Sequence, residues 1–281
     1  MQVCTPCSAD RKDPRPARDP WRWISTLRIV AFAAACATAF PAQALQSCRA
    51  VSGPQALPLV ELYTSEGCDS CPPADRWLTK QFPAAATDAR AVALAFHVDY
   101  WDRLGWKDRF ATPQYTQRQY DAMRANRASF VYTPQVLVQG REALNWQQGG
   151  ATDAIAAAAG RAARAAIALT ATSSADALQV RAIATVPYTT LRKQAVLWLA
   201  YTDSGHVTEV AAGENRGLRL HHDHVVRSLH GPYPVDTDGT AVAELMLVPQ
   251  RDDGHFPVLV AFVQDSKRGD ALQTLELPAC W

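Results

Sequence analysis

Two cysteines three positions apart are the residues of this chain best suited to chemistry. Cys68 and Cys71 lie in the stretch SEGCDSCPPADRW, directly after an apolar run and before a predicted helix. At a strand-to-helix junction, backbone N–H groups and the helix dipole stabilise a thiolate, which is the reactive form of cysteine. The spacing also lets the second thiol attack a mixed disulfide formed by the first. The pair therefore predicts thiol–disulfide exchange.

Two other uses of this pair are weaker interpretations. A zinc site would need two more ligands at suitable spacing, and the second C-x-x-C, Cys4 and Cys7, lies in an N-terminal segment that we expect to be removed as a signal peptide. A structural disulfide between residues three apart closes too short a loop to stabilise the fold much. Within the redox interpretation, we expect Cys68, beside Gly67, to be open to substrate and to attack it. Cys71 lies one helical turn further in, next to Pro72, and is expected to resolve the mixed disulfide.

The N-terminus has the pattern of an export signal. Arginines precede an apolar segment at residues 29–40, and the motif Ala-Gln-Ala that ends at Ala44 follows it. This order is typical of a signal peptide with an A-x-A cleavage site. We therefore expect a signal peptide at residues 1–44 and a mature protein that is periplasmic or secreted. A competing lipoprotein signal, LQSC, would lipidate Cys48, but Gln46 fits that pattern poorly.

Removal of the predicted signal peptide would leave an even number of cysteines. Of seven in the chain, the mature protein keeps Cys48, Cys68, Cys71 and Cys280. An even number in an exported protein indicates pairing, and three connectivities are possible. The simplest pairs Cys68 with Cys71 and leaves Cys48 for Cys280. That second disulfide would join the ends of the mature chain and constrain the unfolded chain by about 4–5 kcal/mol in the entropic model.

The first part of the mature chain alternates strand and helix patterns. Residues 57–63 and 91–98 are nearly all apolar, as in strands buried on both faces. Between them, residues 73–81 have a helical pattern with Pro-Pro near the first turn. A second helix, a short strand at 134–139 with a hairpin, and an alanine-rich helix at 151–166 complete an α/β pattern with a central sheet.

The second part has a different texture. Apolar runs at residues 178–186, 194–201, 241–248 and 258–263 are separated by turn-rich stretches, and no long helical period occurs. This pattern predicts an antiparallel β-sandwich-like domain. The expected organisation is therefore a domain at 45–166 and a β-rich domain at 167–281.

Composition excludes some functions. The chain has 281 residues, 48% of them hydrophobic, which is enough for a substantial core. A formal net charge of +1 gives no electrostatic reason to expect nucleic acid as a partner. No uninterrupted apolar run reaches the roughly 20 residues of a spanning helix, so we expect no membrane association after signal removal. The expected partners are thiols and disulfides of proteins or small molecules, with no cofactor.

The motifs resemble known families. Cys68 and Cys71 after a strand, with Thr133-Pro134 before a short strand, resemble the thioredoxin superfamily. This resemblance implies an α/β thioredoxin-like domain and a cis Thr133–Pro134 bond facing the thiols. The segments VELYTSEGCDSCPPAD, FHVDYWDRLGWKDRFATPQYTQRQY and GENRGLRLHHDHVVR resemble exported thioredoxin-like proteins catalogued as domain of unknown function 1223. That family implies a fold and a compartment but no established reaction.

Glu61 and residues 102–127 each allow two interpretations. A carboxylate inside a buried strand is costly unless it is paired or protonated. The position of Glu61 resembles that of the buried carboxylate that relays protons in thioredoxins, and a salt bridge at the strand end is the alternative. Residues 102–127 look like an insertion, whose aromatic and basic side chains would either frame a substrate groove or fill the core of a helical cap. These side chains, in the segment and just before it, are Tyr100, Trp101, Trp106, Phe110 and Tyr115, with Arg103, Lys107 and Arg109.

Charged residues and histidines complete the list of candidates. Glu66 and Asp69 are acidic and should raise the thiol pKa, which disfavours a strongly oxidising pair. His97 shares a strand face with Asp99 and is a possible support for the active site.

A histidine pair gives the alternative function. His222 and His224 would share a face of an extended segment and, with the thiols, could bind copper or zinc. An exposed polar strand or loop is the better interpretation of that segment. The sequence thus predicts an exported thiol–disulfide oxidoreductase, with a non-enzymatic metal-binding protein on a thioredoxin-like scaffold as the alternative.

Overall fold

The structure is a computed structural model, and it describes residues 46–84, 90–174, 177–249 and 254–280. The predicted signal peptide at 1–44 lies outside these residues. The described strands are β1 (Ser47–Val51), β2 (Leu59–Thr64), β3 (Val92–His97), β4 (Gln135–Val138), β5 (Arg141–Glu142), β6 (Ala166–Ser174), β7 (Ala177–Thr185), β8 (Ala195–Ser204), β9 (His206–Glu209), β10 (Arg219–His222), β11 (Val225–Pro234), β12 (Thr240–Leu247), β13 (His255–Asp265) and β14 (Ala271–Pro278). The described α-helices are α1 (Pro72–Gln81), α2 (Pro113–Asn126), α3 (Gly150–Ala159) and the single turn α4 (Thr189–Arg192).

A mixed sheet of eight strands is the centre of the molecule. Its order is β14-β13-β8-β11-β3-β2-β4-β5, with β3 parallel to both β2 and β11 and the other neighbours antiparallel. A second, antiparallel sheet has the order β1-β6-β7-β12, and β9 pairs with β10. The strands therefore dominate the architecture of the described residues.

The two faces of the large sheet have different covers. Side chains alternate along a strand, so Leu59 and Tyr63 of β2 point to one face and Val60 and Leu62 to the other. The first pair belongs to a core that includes Tyr115 of α2. The second pair packs with residues of α1 and α3. At the other end of the sheet, β8, β13 and β14 share a core with the four-stranded sheet.

The predicted fold class is wrong. We expected a thioredoxin-like α/β domain followed by a separate β-sandwich-like domain, but the described residues contain fourteen strands and only four α-helices. Strands from before and after residue 166 also form one sheet, because β11 pairs in parallel with β3 at Val225 and Ala95. A pairing between residues so distant in sequence leaves no local pattern, and this is why the sequence suggested two independent units.

The alanine-rich segment shows how tertiary context overrides propensity. The sequence predicts a helix at 151–166, but α3 ends at Ala159, with Gly160 as its C-cap. From Ala166 the chain is strand β6, which pairs with β7 over nine residues. The helix propensity of alanine is a small free energy. It is outweighed by the free energy that β6 gains from pairing with β7 and from burying alternate side chains.

The disulfide predicted between the chain ends is confirmed. Cys48 on β1 is bonded to Cys280, which follows β14, with 6.2 Å between their Cα atoms. Cys48 is buried in the core that lies between the two large sheets. The bond therefore connects the four-stranded sheet to the edge of the eight-stranded one. Among the described residues, no helix combines the length and the apolar character that crossing a membrane requires.

Candidate functional site

The Cys68–Cys71 pair forms a disulfide at the start of α1. The chain leaves β2 at Thr64, turns, and enters the helix with Cys71 as N-cap. Prolines at the first two helical positions suit this turn, because the amide hydrogens they lack have no partner in a helix anyway. The strand-to-helix junction that the sequence predicted for these thiols is therefore confirmed.

The proline loop lies against the disulfide as predicted. The Thr133–Pro134 bond is cis. The Thr133 hydroxyl donates a hydrogen bond to Cys68 Sγ at 3.3 Å, and Trp101 Nε1 donates to Thr133 Oγ1 at 2.8 Å. Thr133 thus fixes one sulfur of the pair, while the catalytic roles of Thr133 and Pro134 stay predictions.

The disulfide is enclosed, contrary to the expectation that Cys68 is open to substrate. Both cysteines are 0% exposed, although Asp69 and Ser70 between them are exposed. A buried asparagine from the C-terminal half holds the loop, since Asn215 Nδ2 donates to the carbonyl oxygens of Glu66 and Cys68, each at 2.8 Å. A substrate can therefore reach Cys68 only after this loop or its cover moves.

Five buried ionisable residues surround the disulfide loop, and we call them the histidine–carboxylate cluster: Glu66, Asp75, His97, Asp108 and His222. His97 Nδ1 lies 2.7 Å from Asp108 Oδ2, and the same oxygen accepts the backbone N–H of Glu66 at 2.8 Å. Trp106 Nε1 donates to Glu66 Oε2 at 2.8 Å. Asp75 accepts a bond from Thr64 at 3.3 Å and lies one helical turn after Cys71.

Several polar atoms of this cluster have no hydrogen-bond partner. They are Glu66 Oε1, His97 Nε2 and both ring nitrogens of His222, all fully buried. His222 Nε2 is 3.4 Å from Glu66 Oε1, which is within ion-pair distance but not in hydrogen-bond geometry. The two histidine rings meet edge to face at 4.9 Å. Unpartnered buried polar groups cost free energy, so this arrangement is not explained by stability.

The cluster shifts its own titrations. Burial raises the pKa of Asp75, and His222 and His97 oppose that rise. Burial alone would lower the pKa of His97, but the nearby carboxylates, first Asp108 and then Asp75 and Glu66, together outweigh it and the net shift is upward. Burial acts to raise the pKa of Asp108, but His97 and the backbone N–H groups of Glu66 and Phe110 together outweigh it and lower the pKa. Both shifts favour the charged form of the His97–Asp108 pair.

Glu61 lies away from the thiols. It points to the face of β2 opposite to that of Thr64, and it accepts bonds from Arg118 Nε at 2.8 Å and from Tyr63 at 3.4 Å. The salt bridge predicted as the alternative for Glu61 is therefore confirmed, although Glu61 lies within β2 and not at its end. The predicted proton-relay role has no contact with the disulfide to support it, because α1, whose N-cap is Cys71, packs on the other face of the sheet.

The histidines of the metal hypothesis do not act together. His222 ends β10 and faces His97, whereas His224 has a positive φ and its Nε2 lies 2.6 Å from the carbonyl oxygen of Phe82. Across the part of the chain that the structure describes, no group of three or more His, Cys, Asp and Glu side chains is arranged to hold a metal ion. His97 is likewise separated from Asp99, which binds Thr116 of α2.

Some aromatic residues of 100–115 lie in the hydrophobic core, and others cover the disulfide loop. Phe110 and Tyr115 are buried, as the core interpretation predicted. Trp101 covers the disulfide loop, since a Cβ placed on Gly67 would lie 3.1 Å from the Trp101 Cβ. Trp106 binds Glu66. The segment is thus both core and lining of the disulfide site.

Asp108 and Asn215 are site residues that the sequence reasoning did not single out. Both lie far from the cysteines in sequence, and neither belongs to a short motif with a known mechanism. A signal was present, since each stands in one of the segments quoted for the family resemblance, WDRLGWKDRF and GENRGLRL. Those segments meet in space at the Glu66 backbone.

Comparison with known proteins agrees with these segments. A family model described as "Protein of unknown function (DUF1223)" matches residues 59–264. The chain belongs to this family. The family match includes the disulfide loop, the proline loop and Asn215, so all elements of the site lie within it. No match is found among the curated proteins.

Two solved structures are similar to this chain. Protein AGR_C_4864 from Agrobacterium tumefaciens shares 25% sequence identity, with a TM-score of 0.56 over 80% of this chain and 96% of that one. HBP35 of Porphyromonas gingivalis shares 13% identity, with a TM-score of 0.55 over 80% of this chain and 76% of that one. The second likeness concerns the fold alone.

Proposed function

We propose that this protein is an exported thiol–disulfide oxidoreductase that acts through Cys68 and Cys71 on protein or small-molecule thiols. The observation that carries the proposal is the burial of this disulfide at a helix N-terminus, next to the histidine–carboxylate cluster that contacts its loop at Glu66. A disulfide that closes so short a loop contributes little to stability. Buried charges and unpartnered polar atoms contribute little or nothing to it either. Costly groups gathered around a reactive bond are typical of functional sites.

The exchange would run through Cys68. An incoming thiolate attacks Cys68 Sγ, the Cys68–Cys71 bond breaks, and the electron pair leaves on Cys71 as a thiolate. Attack by Cys71 on the resulting mixed disulfide reverses this step and expels the substrate thiolate. Cys68 is the better target because Asp69, which follows it, is exposed, whereas Pro72, which follows Cys71, is buried in the first turn of α1. The helix N-terminus stabilises whichever thiolate forms there.

The buried state of the pair favours a slow or substrate-triggered reaction. Both sulfurs are covered, so reduction needs a local opening of the Asn215 contacts or of the Trp101 cover. The acidic residues Glu66 and Asp69 lie next to Cys68 and disfavour its thiolate. Strong disulfide oxidants stabilise their thiolate, so we expect this pair to be a weaker oxidant. We further propose that the A-x-A motif before residue 45 directs export, which places the reaction in an oxidising compartment.

Trapping of mixed disulfides tests the proposal. With Cys71→Ser, the Cys68 adduct cannot be resolved, so the variant should accumulate covalent adducts with glutathione and with exported proteins. Cys68→Ser is the matched control and should accumulate none. Non-reducing gels and intact mass give the readout. Trapping by Cys68→Ser alone would reverse the two roles, and the absence of adducts in both variants would refute the oxidoreductase function.

A further inference from the structure

A cavity of about 550 Å³ lies between α2 and the sheet face that α2 covers. The sheet contributes Glu61, Tyr63 and Trp198 to its lining, and α2 contributes Gln117 and Arg118. The two cysteines of the proposed exchange site do not line it. Its size is that of a small-molecule or short-peptide site, so its chemistry can be considered separately from the disulfide.

A buried ion pair forms part of the cavity lining. Arg118 and Glu61 are 8% and 1% exposed, and the arginine bonds Glu61 Oε1 through Nε at 2.8 Å and Nη2 at 2.7 Å. The guanidinium also lies 5.0–5.3 Å from the ring centroids of Phe96, Trp198 and Phe262. Apolar side chains of similar volume would hold α2 on the sheet equally well, because desolvation offsets the attraction of a buried pair. Its position beside a cavity suggests recognition instead.

Part of this pair is unused by the protein. Nη2 also donates to Gln264 at 3.3 Å, but Nη1 of Arg118 and Oε2 of Glu61 have no hydrogen-bond partner among the described residues. Tyr63 also donates to Glu61 Oε1, at 3.4 Å, and burial raises its pKa well above the usual value, so it stays a phenol. The pair thus offers N–H donors beside a carboxylate acceptor. An amide, which has a carbonyl acceptor beside an N–H donor, is complementary to that arrangement.

The rest of the lining favours an uncharged ligand with N–H groups. The side-chain amide nitrogens of Gln114 and Gln117 bind the Leu229 carbonyl and Asp121, which leaves both amide oxygens as acceptors. The charged lining residues balance in sign: Glu61, Asp121 and Asp265 against Arg118, Arg124 and Lys267. The wall also includes apolar surface from Trp198, Leu229 and Pro232.

We propose that this cavity binds a short peptide segment with uncharged, apolar side chains. The peptide carbonyl accepts from Arg118 Nη1, and the adjacent peptide N–H donates to Glu61 Oε2. Further N–H groups donate to the glutamine oxygens, and an apolar side chain packs on Trp198. This function is independent of the disulfide chemistry, so either can fail without the other.

Calorimetric titration with a defined probe tests the site. The probe is N-acetyl-alanyl-leucyl-alanine amide. Its matched control is the same molecule with the amide between the first alanine and the leucine replaced by an ester. The ester keeps the shape and the carbonyl but removes one N–H. Wild-type protein with its disulfides intact should bind the amide and should bind the ester about fivefold more weakly, as the loss of one hydrogen bond predicts. Equal affinities, or no binding of the amide at about 1 mM, would overturn the proposal.

Variants locate the binding. Gln117→Ala changes an exposed side chain that the fold does not need, and it should weaken binding of the amide about fivefold. Gln148→Ala, an exposed glutamine that does not line the cavity, should bind like the wild type. Glu61→Gln combined with Arg118→Gln removes both charges together and should weaken binding at least about tenfold. Unchanged affinity in Gln117→Ala and in the double variant would place the peptide elsewhere and refute the site.

Discussion

Replacing Asn215 with alanine should speed reduction of the Cys68–Cys71 disulfide. The Asn215 side chain is 2% exposed and makes two hydrogen bonds of 2.8 Å, to the carbonyl oxygens of Glu66 and Cys68. Each hydrogen bond contributes about 1 kcal/mol net. If reduction proceeds through a locally opened loop, losing both bonds favours opening by about 2 kcal/mol, which is about a 30-fold rise in rate.

The assay is the rate at which excess glutathione reduces the folded protein. Samples are quenched with an alkylating reagent, and intact mass counts the free thiols. Asn126→Ala is a matched control, because Asn126 also donates two bonds to backbone carbonyls, of Ala122 and Gly140, at 2.9 and 2.8 Å. That variant should be reduced at the wild-type rate. Equal acceleration in both variants would show that general destabilisation opens the site, and no acceleration in Asn215→Ala would refute the role of Asn215 as the holder of the loop.

Two further predictions concern stability. Cys48→Ser combined with Cys280→Ser opens a disulfide with a sequence separation of 232 and should lower the free energy of unfolding by about 5 kcal/mol in denaturant titrations; a loss below about 1 kcal/mol would contradict the entropic account. Because the pKa of His97 is raised in the folded protein, its contribution to the free energy of unfolding is complete below its ordinary pKa of 6.5 and is lost as the pH rises through the folded value. Because the pKa of Asp108 is lowered, its contribution to the free energy of unfolding is lost only on acidification below 3.8. We therefore expect the stability of the wild type to decline as the pH rises above 6.5, and His97→Gln should remove that decline; an unchanged pH slope would contradict the pairing.

Local features of the site could be predicted from the sequence. The apolar run before Cys68 and the prolines after Cys71 define a strand, a turn and a helix start through short-range physics alone. The cis bond at Thr133–Pro134 and its contact with Cys68 followed from the family resemblance and are confirmed. The Cys48–Cys280 bond followed from counting the cysteines that remain after export.

Features that depend on distant pairing could not be predicted. The single large sheet rests on the parallel pairing of Val225 with Ala95, and neither residue has a neighbouring pattern that encodes its partner. Asn215 reaches the disulfide loop for the same reason, across 147 residues of sequence from Cys68. The position of Glu61 in the sequence predicts a place near the thiols. Side chains alternate along β2, however, and Glu61 points to the face of the sheet opposite to α1. The sequence of one strand does not show on which of its two faces a given helix will pack.

Equilibration with glutathione redox buffers is the most direct test of the central claim that Cys68 and Cys71 are redox-active. Folded protein is held at a series of buffer potentials, free thiols are alkylated, and peptide mass mapping separates this pair from Cys48 and Cys280. We predict reversible titration of the Cys68–Cys71 pair in the native protein, at a potential more negative than the approximately −120 mV of a strong disulfide oxidant. A pair that stays fully oxidised until the protein unfolds would show a structural disulfide and contradict the proposed function.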